Sequence, residues 1–214
     1  EAFLKAIDEA RALAAEGAIV TLGIVPDAPH TGYGYIRRGA PVGGGYKVDR
    51  FVEKPNAQNA QRFFDEGGYY WNAGIFVFRA DVFLEELERF APKILAATRR
   101  AWELSVRKDG DVYLDSVAWS ECPSDSIDYA VAEKTDRAAV VPAELGWNDV
   151  GSWSSLMDLA YRDSAGNAVY GDAAALGSAG CYIRSTSRHV SVIGASDLIV
   201  VETDDAVLIV HKDA

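Results

Sequence analysis

Basic stripes and nucleic-acid-binding patterns are the first features that this sequence lacks. It has 21 lysines and arginines against 32 aspartates and glutamates, so its formal net charge is −11 at pH 7. An acidic surface gains no counterion release on a phosphate backbone, which excludes a general nucleic-acid binder. A small phosphorylated ligand is still compatible with this charge, because one lysine or a magnesium ion can reverse the local sign.

Cysteine pairs and long apolar runs are also missing. Cys122 and Cys181 lie far apart and outside any C-x-x-C pattern, which is typical of a reduced, cytoplasmic protein. The longest apolar runs have the length of a strand and fall far short of the roughly 20 residues that span a bilayer. The three histidines are too widely separated to indicate a metal cluster. We therefore expect a cytoplasmic location and no membrane partner.

What is present is the composition of an ordinary folded domain, with 49% apolar and 25% charged residues. Apolar residues recur at helical spacing from Phe3 to Ala14, up to Gly17, and a buried strand follows over residues 18–24. A helix followed by a strand is one unit of an α/β sheet. The strand that should precede this unit is not in the sequence, so we expect the 214 residues to be part of a longer protein.

Alternation and turn signals predict the other elements. Two short strands should flank the turn at Gly43–Gly45, and residues 71–78, rich in aromatic and β-branched side chains, should form a central strand. From residue 168 onward, strand-like runs alternate with polar turns, without a clean repeat period. We expect an α/β domain in residues 1–163 and a β-rich segment in residues 164–214. Helices are predicted at 59–66, 81–90, 92–107, 127–134 and 153–161, and a further strand at 138–142.

Two segments place polar groups at strand positions where open α/β sheets bind ligands. Glu53 and Lys54 end a strand at Pro55; a carboxylate suits sugar hydroxyls and a lysine suits phosphate, although a solvated ion pair would use the same residues. Asn72 lies in an apolar strand, close to Gly74, and needs hydrogen-bond partners. Its partner is either a ligand hydroxyl or a carbonyl of a neighbouring loop.

Two loops carry further candidates. Tyr33 and Gly34 lie in a segment that either forms a plain turn or brings its backbone close to a ligand, since glycine has no Cβ. Asp149 lies between two tryptophans and just ahead of a predicted helix, where it could ligate magnesium or cap the helix, a role that Ser152 could also take. Asp128 falls in the first turn of a short helix, and we rank a helix-dipole role first for it.

Together these segments resemble the mannose-1-phosphate guanylyltransferases, or GDP-mannose pyrophosphorylases, a family of sugar-phosphate nucleotidyltransferases. The resemblance covers the whole chain and follows the family's order in Leu22–Pro26, Thr31–Ile36, Phe51–Pro55, Trp71–Phe76, Ser126–Tyr129 and Trp147–Trp153. It implies an α/β, Rossmann-like nucleotidyltransferase fold, represented here by its C-terminal, sugar-binding part. A small β-rich appendage would follow, for which a β-helical form stays open, as does a homodimer.

The resemblance also implies a reaction and its residues. Mannose 1-phosphate would attack the α-phosphorus of GTP, with Mg²⁺ as cofactor, giving GDP-mannose and pyrophosphate. Asp149 would ligate the metal, and Asp149 and Lys54 would be catalytic. Glu53 and Asn72 would bind sugar hydroxyls and Lys54 the sugar phosphate. The substrate-binding set implied as a whole is Tyr33, Gly34, Glu53, Lys54, Asn72 and Gly74.

The sequence departs from the family pattern on the nucleotide side. The 214 residues contain no G-x-G-x-R-L-x-P phosphate loop, no guanine-reading residues and no second aspartate for the metal; Ala73 stands where a serine is common. We expect the isolated fragment to be inactive, and the base is implied by the resemblance alone. Two rivals stay open: a related enzyme with another sugar or base, and a non-catalytic sugar-phosphate-binding regulatory subunit.

Overall fold

The structure, a computed structural model, describes residues 1–214. It divides into two compact units, Glu1–Trp147 and Asn148–Ala214. None of its helices is both long enough and apolar enough to cross a membrane. The first unit contains, in chain order, α1 (Ala2–Ala15), β1 (Ile19–Ile24), β2 (Tyr35–Val42), β3 (Gly45–Val52), α2 (Ala57–Glu66), β4 (Tyr69–Val77), α3 (Ala80–Phe90), α4 (Pro92–Glu103), β5 (Val106–Lys108), β6 (Asp111–Tyr113), α5 (Ser116–Ser120), a π-helical turn (Asp128–Ala132) and β7 (Ala138–Pro142).

Five of these strands close into a barrel in the order β1-β4-β2-β3-β7. Strands β1 and β7 are parallel, and the other neighbours are antiparallel, so the sheet is mixed. All six residues of β1 are buried, which explains the continuous apolar run in its sequence. The exception to that run is Thr21, which is 3% exposed and therefore needs a hydrogen-bond partner. Helix α1 packs Ala10 and Leu13 into the same core.

The predicted helix over 92–107 is shorter in the structure. Helix α4 ends at Glu103, and a small antiparallel hairpin of β5 and β6 follows. Its turn is Asp109-Gly110, with φ of 55° and 91°. An Asp-Gly pair at positive φ is a strong hairpin signal, and it overrides the helical periodicity of the preceding residues.

The second unit contains α6 (Trp153–Leu159), β8 (Ala168–Tyr170), β9 (Ala173–Leu176), β10 (Tyr182–Ser185), β11 (Val190–Ile193), β12 (Leu198–Glu202) and β13 (Val207–His211). Strands β8, β10 and β12 pair in parallel, as do β9 and β11, so successive strand pairs stack as rungs. Ala168 pairs with Tyr182, and Tyr182 pairs with Ile199. These sequence separations are unequal, which explains why no repeat period was visible.

The compact units divide between Trp147 and Asn148, and the domain boundary predicted after residue 163 stays a prediction. Helix α6 buries Met157 in one cluster with Tyr182 and Ile199 of the strands that follow. The helix therefore belongs to the compact unit of the β-rich segment, although its sequence reads as the last helix of an α/β pattern.

Candidate functional site

Gly34 is the point at which three of the predicted site residues meet. A Cβ at Gly34 would lie 2.5 Å from Glu53 Oε2 and 3.3 Å from Asn72 Cβ. The carbonyl of Gly34 accepts a hydrogen bond of 2.8 Å from the backbone N–H of Asn72. Since a Cβ essentially never comes within 3 Å of such an oxygen, only glycine allows the carboxylate to approach this backbone.

Glu53 and Lys54 form an ion pair at the end of β3. Lys54 Nζ donates to Glu53 Oε1 at 2.9 Å. The side chain of Lys54 is 65% exposed, whereas that of Glu53 is only 11% exposed. The hydrogen bond to Glu53 raises the pKa of Lys54, so this side chain stays a cation at neutral pH. Lys54 has a φ of 45°, a left-handed conformation that is uncommon for a residue other than glycine.

Asn72 has three side-chain hydrogen bonds. Its Oδ1 accepts from Thr21 Oγ1 at 2.7 Å and from the N–H of Gly74 at 3.1 Å. Its Nδ2 donates to Asp128 Oδ1 at 3.0 Å. These partners are neither a ligand hydroxyl nor a carbonyl of a neighbouring loop, which were the two partners expected from the sequence. The amide nitrogen carries two hydrogens, and one of them has no partner within the protein.

Gly74 supports Asn72 through its backbone. It has a φ of 69°, and a Cβ there would meet no atom within 4 Å. The glycine is therefore required by its left-handed conformation and not by crowding. In the structure its N–H points to Asn72 Oδ1, which holds the amide in place.

Tyr33 lies in an aromatic cluster beside the Gly34 loop. Its ring centroid is 5.2 Å from His30, 5.0 Å from Trp71 and 5.2 Å from Trp147. A cavity of about 180 Å³ is lined by Trp71, Trp147 and the residues just before Trp147, including Gly146. The ring of Tyr33 thus packs against its neighbours and stabilises the loop that carries Gly34.

Three polar residues of this region were not predicted as site residues. Thr21 and Asp128 bind Asn72, and Glu133 Oε1 accepts a hydrogen bond of 3.1 Å from the backbone N–H of Glu53. From the sequence, a helix-dipole role ranked first for Asp128. The sequence held a signal for one of these three residues, because Thr21 is a polar residue inside a wholly buried apolar strand.

Asp149 belongs to the second unit and lies exposed in the turn before α6. Of its two predicted roles, capping is performed by Ser152, whose Oγ accepts from the N–H of Ser155 at 3.1 Å. Asp149 Oδ1 instead accepts from the N–H of Gly151 at 3.3 Å. Val150 has a φ of 51°, a strained conformation for a β-branched residue, and such strain concentrates at functional sites.

Comparison with known proteins bears on both units. A family model described as nucleotidyl transferase matches residues 1–166. The chain belongs to the nucleotidyl transferase family. A second model, described as a MannoseP isomerase/GMP-like beta-helix domain, matches residues 171–214. The predicted fold class, a mixed α/β nucleotidyltransferase fold followed by a β-rich part, is confirmed, and the second match gives the β-rich part its β-helical form.

Relatives within the nucleotidyl transferase family are similar over the whole of this chain. It is 50% identical to xanthan biosynthesis protein XanB of Xanthomonas campestris pv. campestris (strain B100), over 99% of this chain and 45% of the relative. It is 46% identical to mannose-1-phosphate guanylyltransferase of Salmonella montevideo, over 100% of this chain and 46% of the relative. The chain therefore spans less than half the length of these curated relatives.

A solved structure supports the same family. The crystal structure of mannose-1-phosphate geranyltransferase from Thermus thermophilus superposes with a TM-score of 0.82 at 34% identity, over 99% of this chain and 61% of that one. The resemblance to mannose-1-phosphate guanylyltransferases found in the sequence motifs is confirmed by these similarities.

Proposed function

We propose that the protein containing these residues transfers a guanylyl group from GTP to mannose 1-phosphate. A phosphate oxygen of the sugar attacks the α-phosphorus of GTP, the bond to the β-phosphate oxygen breaks, and pyrophosphate leaves as GDP-mannose forms. The observation that carries the proposal is the cluster around Gly34, where Glu53, Lys54 and Asn72 lie together. Relatives named mannose-1-phosphate guanylyltransferase support the choice of substrates.

The cluster offers three kinds of contact for a sugar phosphate. The carboxylate of Glu53 accepts hydrogen bonds from hydroxyls, and the remaining N–H of Asn72 donates to a hydroxyl oxygen. The exposed ammonium of Lys54 attracts the phosphate. Because phosphoryl transfer depends mainly on alignment and charge stabilisation, holding the attacking phosphate in place is the main contribution expected of these side chains.

Magnesium is the cofactor that we propose, with Asp149 as a ligand. The exposed carboxylate has the hard oxygen donors that Mg²⁺ prefers, and the ion commonly uses one or two carboxylates together with substrate phosphates. The chain has no group of three or more acidic, histidine or cysteine side chains that could hold a metal. Asp149 is therefore proposed as one ligand among several, with substrate phosphates among the others. When bound, the ion would neutralise charge on the transferring phosphates.

The test is pyrophosphate release by the gene product that contains these residues. We expect release with GTP, mannose 1-phosphate and Mg²⁺, and much slower release with glucose 1-phosphate or with another nucleoside triphosphate. Faster turnover with a different sugar or base would establish the related-enzyme alternative. Binding of mannose 1-phosphate without any pyrophosphate release would establish the regulatory alternative.

A cytoplasmic location and a homodimer are part of the same proposal. Cys122 and Cys181 are both free, which agrees with a reducing compartment. The last strand exposes Val207 and Ile209, at 58% and 65%, and apolar side chains of this kind suit a contact between copies. Sedimentation analysis that finds only monomers would remove the dimer from the proposal.

A further inference from the structure

The π-helical turn Asp128–Ala132 and the residue that follows it reach both binding strands of the site. Asp128 Oδ1 lies 3.0 Å from Asn72 Nδ2 on β4. Glu133 Oε1 lies 3.1 Å from the backbone nitrogen of Glu53 at the end of β3. The turn itself is anchored, because Ala130, Val131 and Ala132 are buried. Single π-helical turns are rare in proteins, and those that occur are often found at functional sites.

Asp128 determines which way the amide of Asn72 faces. A carboxylate can only accept a hydrogen bond, so the atom of Asn72 that faces Asp128 is the nitrogen. The N–H of Gly74 can only donate, so the atom that faces it is the oxygen. With both ends specified, the amide cannot flip, and its remaining N–H is a donor in a fixed direction.

Asp128 lies in the first turn of the π-helical segment, the position that the sequence predicted for it. Ser126 Oγ accepts from the N–H of Tyr129 at 3.4 Å, and the carbonyl of Ser126 accepts from Ala130 at 2.8 Å. From this position the carboxylate of Asp128 also accepts a hydrogen bond from Asn72, a contact that a helix-end role alone does not require.

Glu133 acts on the backbone next to Lys54. It holds the N–H of Glu53 immediately before the left-handed Lys54, whose φ is 45°. A residue in this conformation persists only where its surroundings restrain it. The contact therefore helps to keep the carboxylate of Glu53 and the ammonium of Lys54 at their 2.9 Å separation.

We propose that Asp128 and Glu133 are positioning residues of the sugar-phosphate site, with Thr21 completing the set around Asn72. Asp128 makes Asn72 a hydrogen-bond donor to the ligand, while Glu53 is an acceptor. The site therefore selects a sugar phosphate with one hydroxyl that accepts from Asn72 and one that donates to Glu53. This inference rests on the proposed function of the same cluster.

The kinetic test compares Asp128→Ala with Asp128→Asn in the full gene product. The amide of Asp128→Asn retains an oxygen that can accept from Asn72, whereas both variants lose the charge. We expect Asp128→Ala to raise the KM for mannose 1-phosphate about tenfold or more, with the KM for GTP unchanged, and Asp128→Asn to stay within about threefold of wild type. Equal losses in both variants would assign the effect to the charge at the helix end and overturn the proposal.

Glu133 offers the same kind of matched pair. Glu133→Gln keeps an oxygen that accepts from the N–H of Glu53, and Glu133→Ala does not. We expect an increase in the KM for mannose 1-phosphate in Glu133→Ala alone. Unchanged kinetics in Glu133→Ala would remove this residue from the proposed positioning set.

A readout without turnover separates this inference from the proposed function. In protein labelled with ¹⁵N-asparagine, the Asn72 side-chain proton that faces Asp128 should exchange slowly with solvent in wild type and Asp128→Asn, and faster in Asp128→Ala. If wild type turns over no sugar phosphate, the proposed function fails while this pattern still tests the contact. Identical exchange in wild type and Asp128→Ala would overturn the positioning role.

Discussion

The side-chain amide of Asn72 donates a 3.0 Å hydrogen bond to Asp128, which follows it by 56 residues. The contact joins β4 of the mixed sheet to the π-helical turn. Three helices, α3 to α5, separate these two elements in the sequence. The contact leaves Asn72 with one further N–H, and the Cβ of Asn72 and Oε2 of Glu53 both lie close to Gly34. Donor, acceptor and cationic side chains from distant parts of the chain are thereby brought together around Gly34.

Replacing Gly34 should weaken sugar-phosphate binding through crowding alone. In Gly34→Ala the new methyl group would lie 2.5 Å from Glu53 Oε2, so the carboxylate must move. We expect the Kd for mannose 1-phosphate to rise at least about tenfold, because the displaced carboxylate loses a charge-assisted hydrogen bond. Isothermal titration calorimetry measures this Kd in the variant and in wild type.

Gly32→Ala is the matched control for this crowding. It changes the same loop at a position where a Cβ would meet no atom within 4 Å. We expect its Kd to equal that of wild type. Similar weakening in both variants would show that loop flexibility, and not the contact with Glu53, sets the affinity.

Removing Lys54 should affect the sugar phosphate and not the nucleotide. In Lys54→Ala the KM for mannose 1-phosphate should rise about 10- to 100-fold, as is usual for the loss of a charged hydrogen-bond partner. Lys47→Ala, which removes a lysine from the strand that precedes Lys54, is the control and should leave kinetics unchanged. Because Glu53 raises the pKa of Lys54, the contribution of Lys54 should stay constant from about pH 6 to 9.

Asp149→Ala should lower turnover because it removes a proposed magnesium ligand. We expect kcat to fall on the order of 100-fold, with partial recovery at high Mg²⁺ concentration. Asp204→Ala, in an exposed turn of the same unit, should match wild type. A Mg²⁺ titration of the initial rate measures both variants; an unchanged Mg²⁺ dependence in Asp149→Ala would contradict the assignment.

The regular elements were predictable where local physics decides them. The helix from residue 3 onward, the strand at 138–142 and the strands of the β-rich part follow from periodicity and turn residues, and they occur as α1, β7 and β10 to β13. The hairpin at Asp109-Gly110 was missed because the helical pattern of α4 was extended to residue 107, into β5, although the turn signal of the hairpin was present.

The site was predictable only in part. Glu53, Lys54, Asn72 and Gly34 were predicted as site residues because each lies in a short contiguous motif, and the structure brings these four residues together. The contacts that orient them come from residues 51 to 80 positions away. A single sequence contains no signal for such pairings, since they depend on which strands become neighbours. The Ser152 cap was also a matter of geometry, because several polar residues competed for that position.

Glu202 should make the β-rich unit sensitive to acid. Its side chain accepts from the hydroxyl and N–H of Ser187 and from the N–H groups of Thr186 and Arg188. Above all the contacts with Ser187 lower the pKa of Glu202 from 4.5 to about 2. Because the folded-state pKa is below the unfolded-state value, this stabilisation is complete above about pH 4.5 and is lost as the pH falls towards 2.

The Glu202→Gln variant tests this dependence. It should lower the Tm at pH 7 by several degrees, since an amide nitrogen would then face N–H donors. The difference from wild type should shrink as the pH falls from 4.5 to 2, whereas Asp204→Asn should follow wild type throughout. Thermal unfolding followed by circular dichroism measures the Tm of each protein at each pH. A Tm difference between Glu202→Gln and wild type that does not change with pH would contradict the role of this carboxylate.

The most direct test of the sugar-phosphate site is the Kd of mannose 1-phosphate for the full gene product and its Glu53→Gln variant, measured by isothermal titration. The substitution keeps the size of the side chain and removes the charge that Gly34 admits beside Asn72. We predict specific binding by wild type and a Kd about tenfold or more higher in Glu53→Gln. Equal affinities in the two proteins would contradict the placement of the site at Gly34, Glu53, Lys54 and Asn72.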